Sequence, residues 1–276
     1  MYDPCVLDGP REWVSAWRPP VPGVHEVFHA RFVEHAYPAH THDTWTVFVV
    51  EDGAIRYDLD ARHRGVGDQR VTILPPHVVH DGRPATSEGY AKRVLYLDAD
   101  ALGERFIGPA VDRPDVSDRR AVLAVRRVDR LLRSPGAELE AEEALLALCA
   151  RLRGHLGDGN VEAFDRGSAG ATAHLRDLLD EHLVEAITLA EAGSLLHVSA
   201  DHLARSFTRT FGIAPHQYLL GRRIEEARRR LLDGEPPALV AAAAGFHDQA
   251  HLTRHFRRHV GTTPGRYATS GSRRRA

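Results

Sequence analysis

Three histidines near the start of the chain have the residue type and spacing that favour ligand or metal chemistry. His40 and His42 are two residues apart, and His80 follows in the segment PPHVVH. Side chains two apart on a strand face the same side, so the first two imidazoles can share a centre with the third and form a facial three-nitrogen site for a divalent metal. Three interpretations are open: ligands of a divalent metal, polar groups of a small-molecule pocket, or structural histidines.

The same histidines resemble the two motifs of the cupin fold, His-x-His followed by Glu and Pro-x-Gly-x-x-His. Thr46 stands where the fourth ligand, a carboxylate, is expected, and His77 replaces the glycine. These departures favour a ligand pocket over a metal-dependent cupin enzyme fused to the rest of the chain, which is kept as the alternative. An aromatic side chain beside them is expected to supply an apolar wall. The predicted ligand-binding residues are His40, His42, Trp45, Thr46 and His80, and the three histidines are the ligands under the metal interpretation.

A second set of chemically informative residues lies in the last third of the chain, where one pattern occurs twice. A shift of 49 residues superposes residues 199–218 on residues 248–267. This is an internal repeat. Each copy predicts a short helix, with Ser199 or Asp248 as the N-cap and Gly212 or Gly261 as the left-handed residue that ends it. The matched pairs are Leu203 and Leu252, Arg205 and Arg254, Phe207 and Phe256, Gly212 and Gly261, Pro215 and Pro264, and Tyr218 and Tyr267.

Each predicted helix has an apolar stripe and a basic face. Leucine and phenylalanine recur four residues apart, and the arginines fall outside that stripe. Segments rich in small residues, 189–196 and 238–246, precede the two helices, which is the order of a helix-turn-helix. Arginine can pair with guanine and Gln249 with adenine, so the second helix is expected to carry at least as much base discrimination as the first. The predicted DNA contacts are Asp201, His202, Ala204, Arg205, Arg209, Gln249, Ala250, His251, Arg254 and Arg258.

The segment GFHDQAHLTRHFRRHVGTTPGRY resembles the signature of the AraC/XylS family of bacterial transcription regulators, and the likeness covers residues 172–267. Ala250 stands where the family often has serine. The resemblance implies a sequence-specific, double-stranded-DNA-binding regulator with a cupin-like sensor for a small-molecule effector, acting as a homodimer. Three functions are open: the ligand-responsive regulator, a metal-dependent cupin enzyme fused to a DNA-binding tail, and a ligand-independent architectural DNA binder. The last is separated from a regulator by whether any small molecule changes melting temperature or DNA affinity.

The elements that must position these residues form an α+β chain of two domains. Short β-rich segments within residues 24–97 predict a cupin-like β-barrel, or jelly roll, which two amphipathic helices follow. The resemblance favours a second subunit as the partner of those helices. Pro19, Pro20 and Pro22 predict an irregular N-terminal arm. The expected divisions are 1–115 arm and sensing barrel, 116–156 helical dimerisation region, 157–170 linker, 171–270 all-α double helix-turn-helix domain, and 271–276 disordered basic tail.

The charges are sorted along the chain. Residues from 166 onward hold 16 arginines against 11 acids, a net +5, whereas the remainder is −7. This suits a nucleic-acid module joined to a part that does not touch nucleic acid, and the helix expected over residues 216–232 adds Arg222 and Arg228–Arg230 to the basic faces. Two cysteines exclude a disulfide framework. No signal peptide and no apolar run of membrane-spanning length is found, which predicts a cytoplasmic protein without membrane contact.

Overall fold

The computed structural model describes residues 12–67, 69–157 and 170–272. In these residues the N-terminal half forms an antiparallel nine-stranded sheet, as the β-rich segments predicted. The 15-residue strand β4 joins its two parts, because its first half pairs with β6 and β8 while its second half pairs with β5 and β7. The strands are β1 Trp13–Trp17, β2 Val24–Phe32, β3 Tyr37–His40, β4 Trp45–Leu59, β5 Arg62–Gly67, β6 Val71–Leu74, β7 His80–Pro84, β8 Tyr90–Leu97 and β9 Asp115–Val116.

Strand alternation divides the barrel residues between two cores. Phe48 and Tyr57 belong to the inner core of the barrel, whereas Val47 and Val49 belong to an outer core formed with the helices that follow. Successive side chains of a strand point to opposite faces of the sheet, which explains this division. The helices are α1 Ile107–Asp112, α2 Arg119–Leu131, α3 Glu138–Leu156, α4 Ala171–Glu181, α5 Leu189–Leu196, α6 Ala200–Phe211, α7 Pro215–Leu232, α8 Pro237–Ala243, α9 Gln249–Val260 and α10 Pro264–Ser272.

Helices α2 and α3 pack against the outer face of their own barrel. Leu145 is only 4% exposed, and Leu152 is fully buried in the outer core. The expectation that a second subunit covers this stripe is therefore wrong for these residues, because the barrel of the same chain already does so. Other leucines of the two helices remain exposed, and they are Leu123, Leu139 and Leu146.

The capping residues of the repeated helices lie where the sequence predicted them. Ser199 accepts a hydrogen bond from the amide of His202 at 3.3 Å, and Asp248 caps α9 in the same way at 2.7 Å. Gly212 and Gly261 follow the two helices with φ angles of 70° and 79°. The two-domain class with an all-α double helix-turn-helix is confirmed.

The start of the described chain is ordered against the sheet. Residues Trp13–Trp17 pair with β2, so the expectation of an irregular arm is wrong for them. Helix α10 lies along this strand, and the amide of Ala16 donates to Ser270 Oγ at 3.0 Å. Residues 1–11, most of the expected linker (158–169) and the basic tail from 273 lie outside the described residues. Among the described helices, none is long and apolar enough to cross a bilayer.

Candidate ligand pocket and nucleic-acid interface

The structure brings His40, His42 and His80 together, and they are called the three-histidine cluster below. His40 ends β3 and His80 begins β7, where the two residues face each other in the strand register. Their ring centroids are 4.5 Å apart, and the ring of His42 lies 4.8 and 5.2 Å from the other two. One ring nitrogen from each residue lies within 4.8 Å of the other two.

Hydrogen bonds fix the orientation of all three rings. Nδ1 of His40 and Nδ1 of His80 lie 2.7 and 2.9 Å from carbonyl oxygens two residues earlier in the chain. Nδ1 of His42 lies 2.7 Å from Oε1 of Glu225, a residue of α7. Because carbonyl and carboxylate oxygens only accept, each Nδ1 carries the proton and each Nε2 keeps a lone pair for the cavity. Metal-binding histidines use the same outward hydrogen bond.

Burial also sets the charge state of these groups. Desolvation lowers the pKa of His80 to about 4. It also lowers the pKa of His40 and of His42 well below the usual range, and repulsion within the cluster adds to this. Lys92 lines the same cavity, and burial, with the charge of Arg228, lowers its pKa to about 7. The cluster therefore offers neutral imidazoles at neutral pH.

The cavity beside the cluster is small, and both polar and apolar side chains line it. Its volume is about 30 Å³, which is space for one or two water-sized groups. Thr46 lies beside the histidines, and its Oγ1 is buried without a hydrogen-bond partner among the described residues; the hydroxyl of Tyr37 is in the same state. A larger cleft of about 140 Å³ adjoins it through His42, and its opposite wall comes from α7.

Trp45 does not belong to this cavity. Its side chain is fully buried in the outer core, and its indole N–H donates to the carbonyl of Ala99 at 3.0 Å. The predicted ligand-pocket role of Trp45 is wrong because neighbouring residues of a strand face opposite sides, so Thr46 and Trp45 cannot both point inward. Phe48 and Tyr57 supply apolar wall instead.

Helix α7 closes the barrel from the side of the DNA-binding domain. Arg228 is 8% exposed and donates to Glu26 at 2.7 Å, and Tyr267 donates to the same carboxylate oxygen at 2.6 Å. The guanidinium also lies 4.5 Å from the centroid of the Tyr96 ring. The sequence-based expectation that Arg228 lies on an outer, DNA-facing surface is wrong. Arg228 follows Ile224, an inward-facing residue, by four positions, which places both on one face of the helix. This spacing was the signal that Arg228 is buried.

A second ionic contact lies beside the cluster. Arg222 pairs with Asp43 of the barrel, with Asp180 of α4 at 2.8 Å and with Glu225 at 2.5 Å. Sequence inspection missed both Asp43 and Glu225 as members of this site, because only the docking of the two domains brings them to the histidines. The histidine cluster is thus connected to the DNA-binding domain through Glu225 and its partner Arg222.

The predicted DNA-contacting residues lie at the surface of α6 and α9. Arg205 is exposed but forms an ion pair with Asp201 at 2.5 Å. Within the described part of the chain, no carboxylate lies within 4.0 Å of Arg209, Arg254 or Arg258, which leaves these guanidiniums available to phosphate or bases. The remaining predicted contacts are exposed or half-buried, and they are His202, Ala204, Gln249, Ala250 and His251.

The arginines at the end of α7 are engaged within the protein. Arg229 pairs with Glu226 at 2.7 Å, and Arg230 pairs with the same carboxylate at 2.6 Å. Arg230 also pairs with Glu235 at 3.0 Å. The arginines of the described residues that stay available for DNA are therefore on the recognition helices and not on α7. They include Arg209 on α6 and Arg254 and Arg258 on α9, so α9 offers more of them than α6.

A sheet-rich ligand-binding domain joined to two helix-turn-helix units defines the class of DNA-binding transcriptional regulators. A family model described as AraC-like ligand binding domain matches residues 22–149, and a helix-turn-helix domain model matches residues 193–270. The chain belongs to the AraC family of transcriptional regulators, as the repeat had indicated.

Individual relatives agree with this assignment. The uncharacterised HTH-type regulator YbfI of Bacillus subtilis is 26% identical over 241 residues, covering 82% of this chain and 85% of its own. A putative AraC-like regulator of Streptomyces antibioticus is 38% identical over 81 residues, covering 29% and 27%. The structure of unsaturated fatty acid-bound ToxT from Vibrio cholerae is 11% identical and shares the fold, with a TM-score of 0.56 over 95% of this chain and 96% of ToxT.

Proposed function

We propose that this regulator acts as a cytoplasmic homodimer, binds an operator through α6 and α9, and responds to a small molecule held between the barrel and α7. The observation that carries the proposal is the position of α7, which belongs to the DNA-binding domain and also forms a wall of the cavities at the three-histidine cluster. A ligand that enters there touches both domains. It can therefore shift the equilibrium between two arrangements of the domains by as much as its affinity for the two differs.

The proposed effector site is the 140 Å³ cleft together with the cavity at the three-histidine cluster. Its walls contain ionic groups from both domains, among them Glu26, Asp43, Arg222 and Arg228. These groups are paired with one another, so they can orient a polar group of the effector while Tyr96 and Leu183 supply apolar wall. ToxT, whose fold is similar, has been solved with an unsaturated fatty acid, so an organic ligand is compatible with this domain arrangement.

The proposed DNA interface has two unequal halves. Arg205 must give up its ion pair with Asp201 before it reaches a base, whereas no carboxylate of the described residues pairs with Arg254. Gln249 and His251 add donors at the start of α9, and a side chain near the N-terminal end of a recognition helix is the one that reaches base edges. We therefore assign most of the base discrimination to α9, with Arg209 and Arg258 as phosphate contacts.

The proposed dimer contact is the exposed leucine surface of α2 and α3. Leu139 and Leu146 are seven residues apart on α3, which places them on one helix face. Leu123 of α2 is also exposed, and all three are more than half accessible in the single chain. A second copy would bury this surface.

The test of the proposed function is binding-site selection with the full chain, followed by a genome-wide binding map. Small molecules made by the enzymes encoded beside the mapped sites are then assayed for an effect on DNA affinity. A regulator selects one sequence, and at least one such molecule changes its affinity. A ligand-independent architectural binder selects no sequence and responds to none, and turnover of the molecule by the pure protein would favour the enzyme.

A further inference from the structure

Glu225 connects the three-histidine cluster to the DNA-binding domain through a single hydrogen bond. We propose that the cluster binds a divalent transition metal ion such as Zn²⁺, and that Glu225 holds one of its ligands, so that metal occupancy strengthens docking of the DNA-binding domain on the barrel. This inference rests on the proposed function in one respect, namely that docking of the domains is the step that the effector controls.

The donor set fits a borderline transition metal. Neutral imidazole nitrogens suit Zn²⁺, Cu²⁺, Ni²⁺ or Fe²⁺, whereas Ca²⁺ and Mg²⁺ prefer oxygen ligands. A tetrahedral site with Zn–N bonds of about 2.0–2.1 Å places its nitrogens roughly 3.3 Å apart. The three ring nitrogens lie within 4.8 Å of one another. Bringing the nitrogens to that spacing requires an inward movement of about 1 Å for each ring.

The space also suits an ion better than a large organic ligand. The cavity at the cluster holds one or two water-sized groups, and the buried hydroxyl of Thr46 beside it lacks a partner among the described residues. An ion with a single water or anion in the fourth position fills this volume. Lys92 lines the same cavity, so the metal ion would add its positive charge beside an amine. A hydroxide or a carboxylate oxygen as the fourth ligand would offset that charge.

The transmission follows from the chemistry of imidazole. When Nε2 of His42 donates its lone pair to a metal, Nδ1–H becomes a stronger donor, and its bond to the carboxylate of Glu225 strengthens. Arg222, on the same helix, holds the other carboxylate oxygen of Glu225. A movement of His42 that carries Glu225 with it therefore also moves α7. Coupling between two equilibria is reciprocal. The docked domain must therefore raise the affinity for the metal by the same factor by which the metal favours docking.

A row of histidines on α9 could bind the same ion and must be distinguished experimentally from the three-histidine cluster. His247, His251, His255 and His259 are spaced by four along the end of the α8–α9 turn and α9, and the rings of His251 and His255 lie 4.8 Å apart. Histidines four apart on a helix can share an ion. The double variant His251→Gln, His255→Gln is therefore the control for binding elsewhere.

The experiment uses the full chain purified without an affinity tag, with Zn²⁺ titrated in competition with a chromogenic chelator. We expect one ion per chain, and a Co²⁺ adduct with the visible absorption of four-coordinate Co²⁺. Glu225→Gln should weaken Zn²⁺ binding by about 10- to 100-fold, as outer-shell changes do. Glu226→Gln is the matched control, because its carboxylate pairs with Arg229 and Arg230, and it should leave the affinity unchanged.

The outcomes separate the parts of the proposal. The site is supported if stoichiometric binding survives in the His251→Gln, His255→Gln variant and is lost in His80→Gln. If His80→Gln does not fold, the Co²⁺ spectrum of the wild type tests the site instead. No stoichiometric ion in the wild type overturns it. Zn²⁺ should slow hydrogen exchange of α7 in the wild type but not in Glu225→Gln, and equal protection in both would overturn the coupling. These measurements need no DNA, so a failure of operator selection is recognised separately.

Discussion

Arg228 and Glu26 are 202 residues apart in sequence, yet the guanidinium of one lies 2.7 Å from the carboxylate of the other in the buried contact between the two domains. Arg228→Ala should destabilise the folded chain by about 3–5 kcal/mol, because it leaves a buried carboxylate without its cation. Urea denaturation measures this. Arg229→Ala, which removes a half-exposed cation of the same helix, should change stability by less than about 1 kcal/mol. Equal effects would place Arg228 at the surface, as the sequence had suggested.

Gly261 and Gly212 form a matched pair for testing the domain contact. Both have the left-handed conformation that favours glycine, so alanine at either should cost about 1 kcal/mol. A Cβ at Gly261 would also lie 2.4 Å from the Phe32 ring, whereas at Gly212 its nearest neighbour is 3.9 Å away. Gly261→Ala should therefore be the more destabilising change, by a further 1–3 kcal/mol or so. Similar melting curves for the two variants would argue against packing of α9 on the barrel.

Base discrimination should depend on Arg254. Arg254→Ala is expected to reduce affinity for the selected operator by about 1–3 kcal/mol and to relax preference at one or two positions. Arg230→Ala should leave the preference unaltered, since its guanidinium is paired with Glu226 and Glu235. The measurement is binding-site selection with both variants at one salt concentration. Retention of the full wild-type preference by Arg254→Ala would show that α9 does not read bases there.

The buried histidines should make stability fall in mild acid. The pKa of His80 is about 4 in the folded chain, below the value near 6.5 of an unfolded histidine. Between these values the unfolded chain binds the proton and the folded chain does not, so stability is retained above pH 6.5 and lost as the pH falls towards 4. The contribution is up to about 1.4 kcal/mol per pH unit for each such histidine. Urea denaturation of the metal-free protein at pH 7.5, 6 and 5 should show a shallower loss for His80→Asn than for His63→Asn, because His63 is exposed.

The dimer proposal is tested by two adjacent leucines. Leu146 is 63% exposed and Leu145 is 4% exposed. Leu146→Glu should give folded monomers that bind half an operator weakly, whereas Leu145→Glu should unfold the sensor, since it buries a charge in the outer core. Sedimentation velocity combined with circular dichroism distinguishes these results. A Leu146→Glu protein that still sediments as a dimer would move the contact elsewhere.

Local chemistry in the sequence was sufficient to predict the repeated helices and the histidine cluster. The capping residues Ser199 and Asp248, and the glycines that follow each helix, act within a few residues of themselves, so their pattern is readable without a fold. The convergence of His40, His42 and His80 was expected from their spacing and from the cupin resemblance, whereas the register that places His40 opposite His80 came from the structure. The faces of β4 were also decided by alternation, and the error at Trp45 came from assigning neighbours to the same side.

Tertiary structure alone decided what the charged residues of α7 do. Arg228, Arg229 and Arg230 are adjacent and identical in type, yet only the first is buried and paired with the barrel. A helix periodicity shows which residues share a face, but it does not show which face another domain will cover. The same limit applies to Glu225, whose role at His42 depends on a contact between residues 183 positions apart. Interactions of this kind depend on how two separately folded surfaces meet, because their energies come from desolvation and geometry that no local pattern contains.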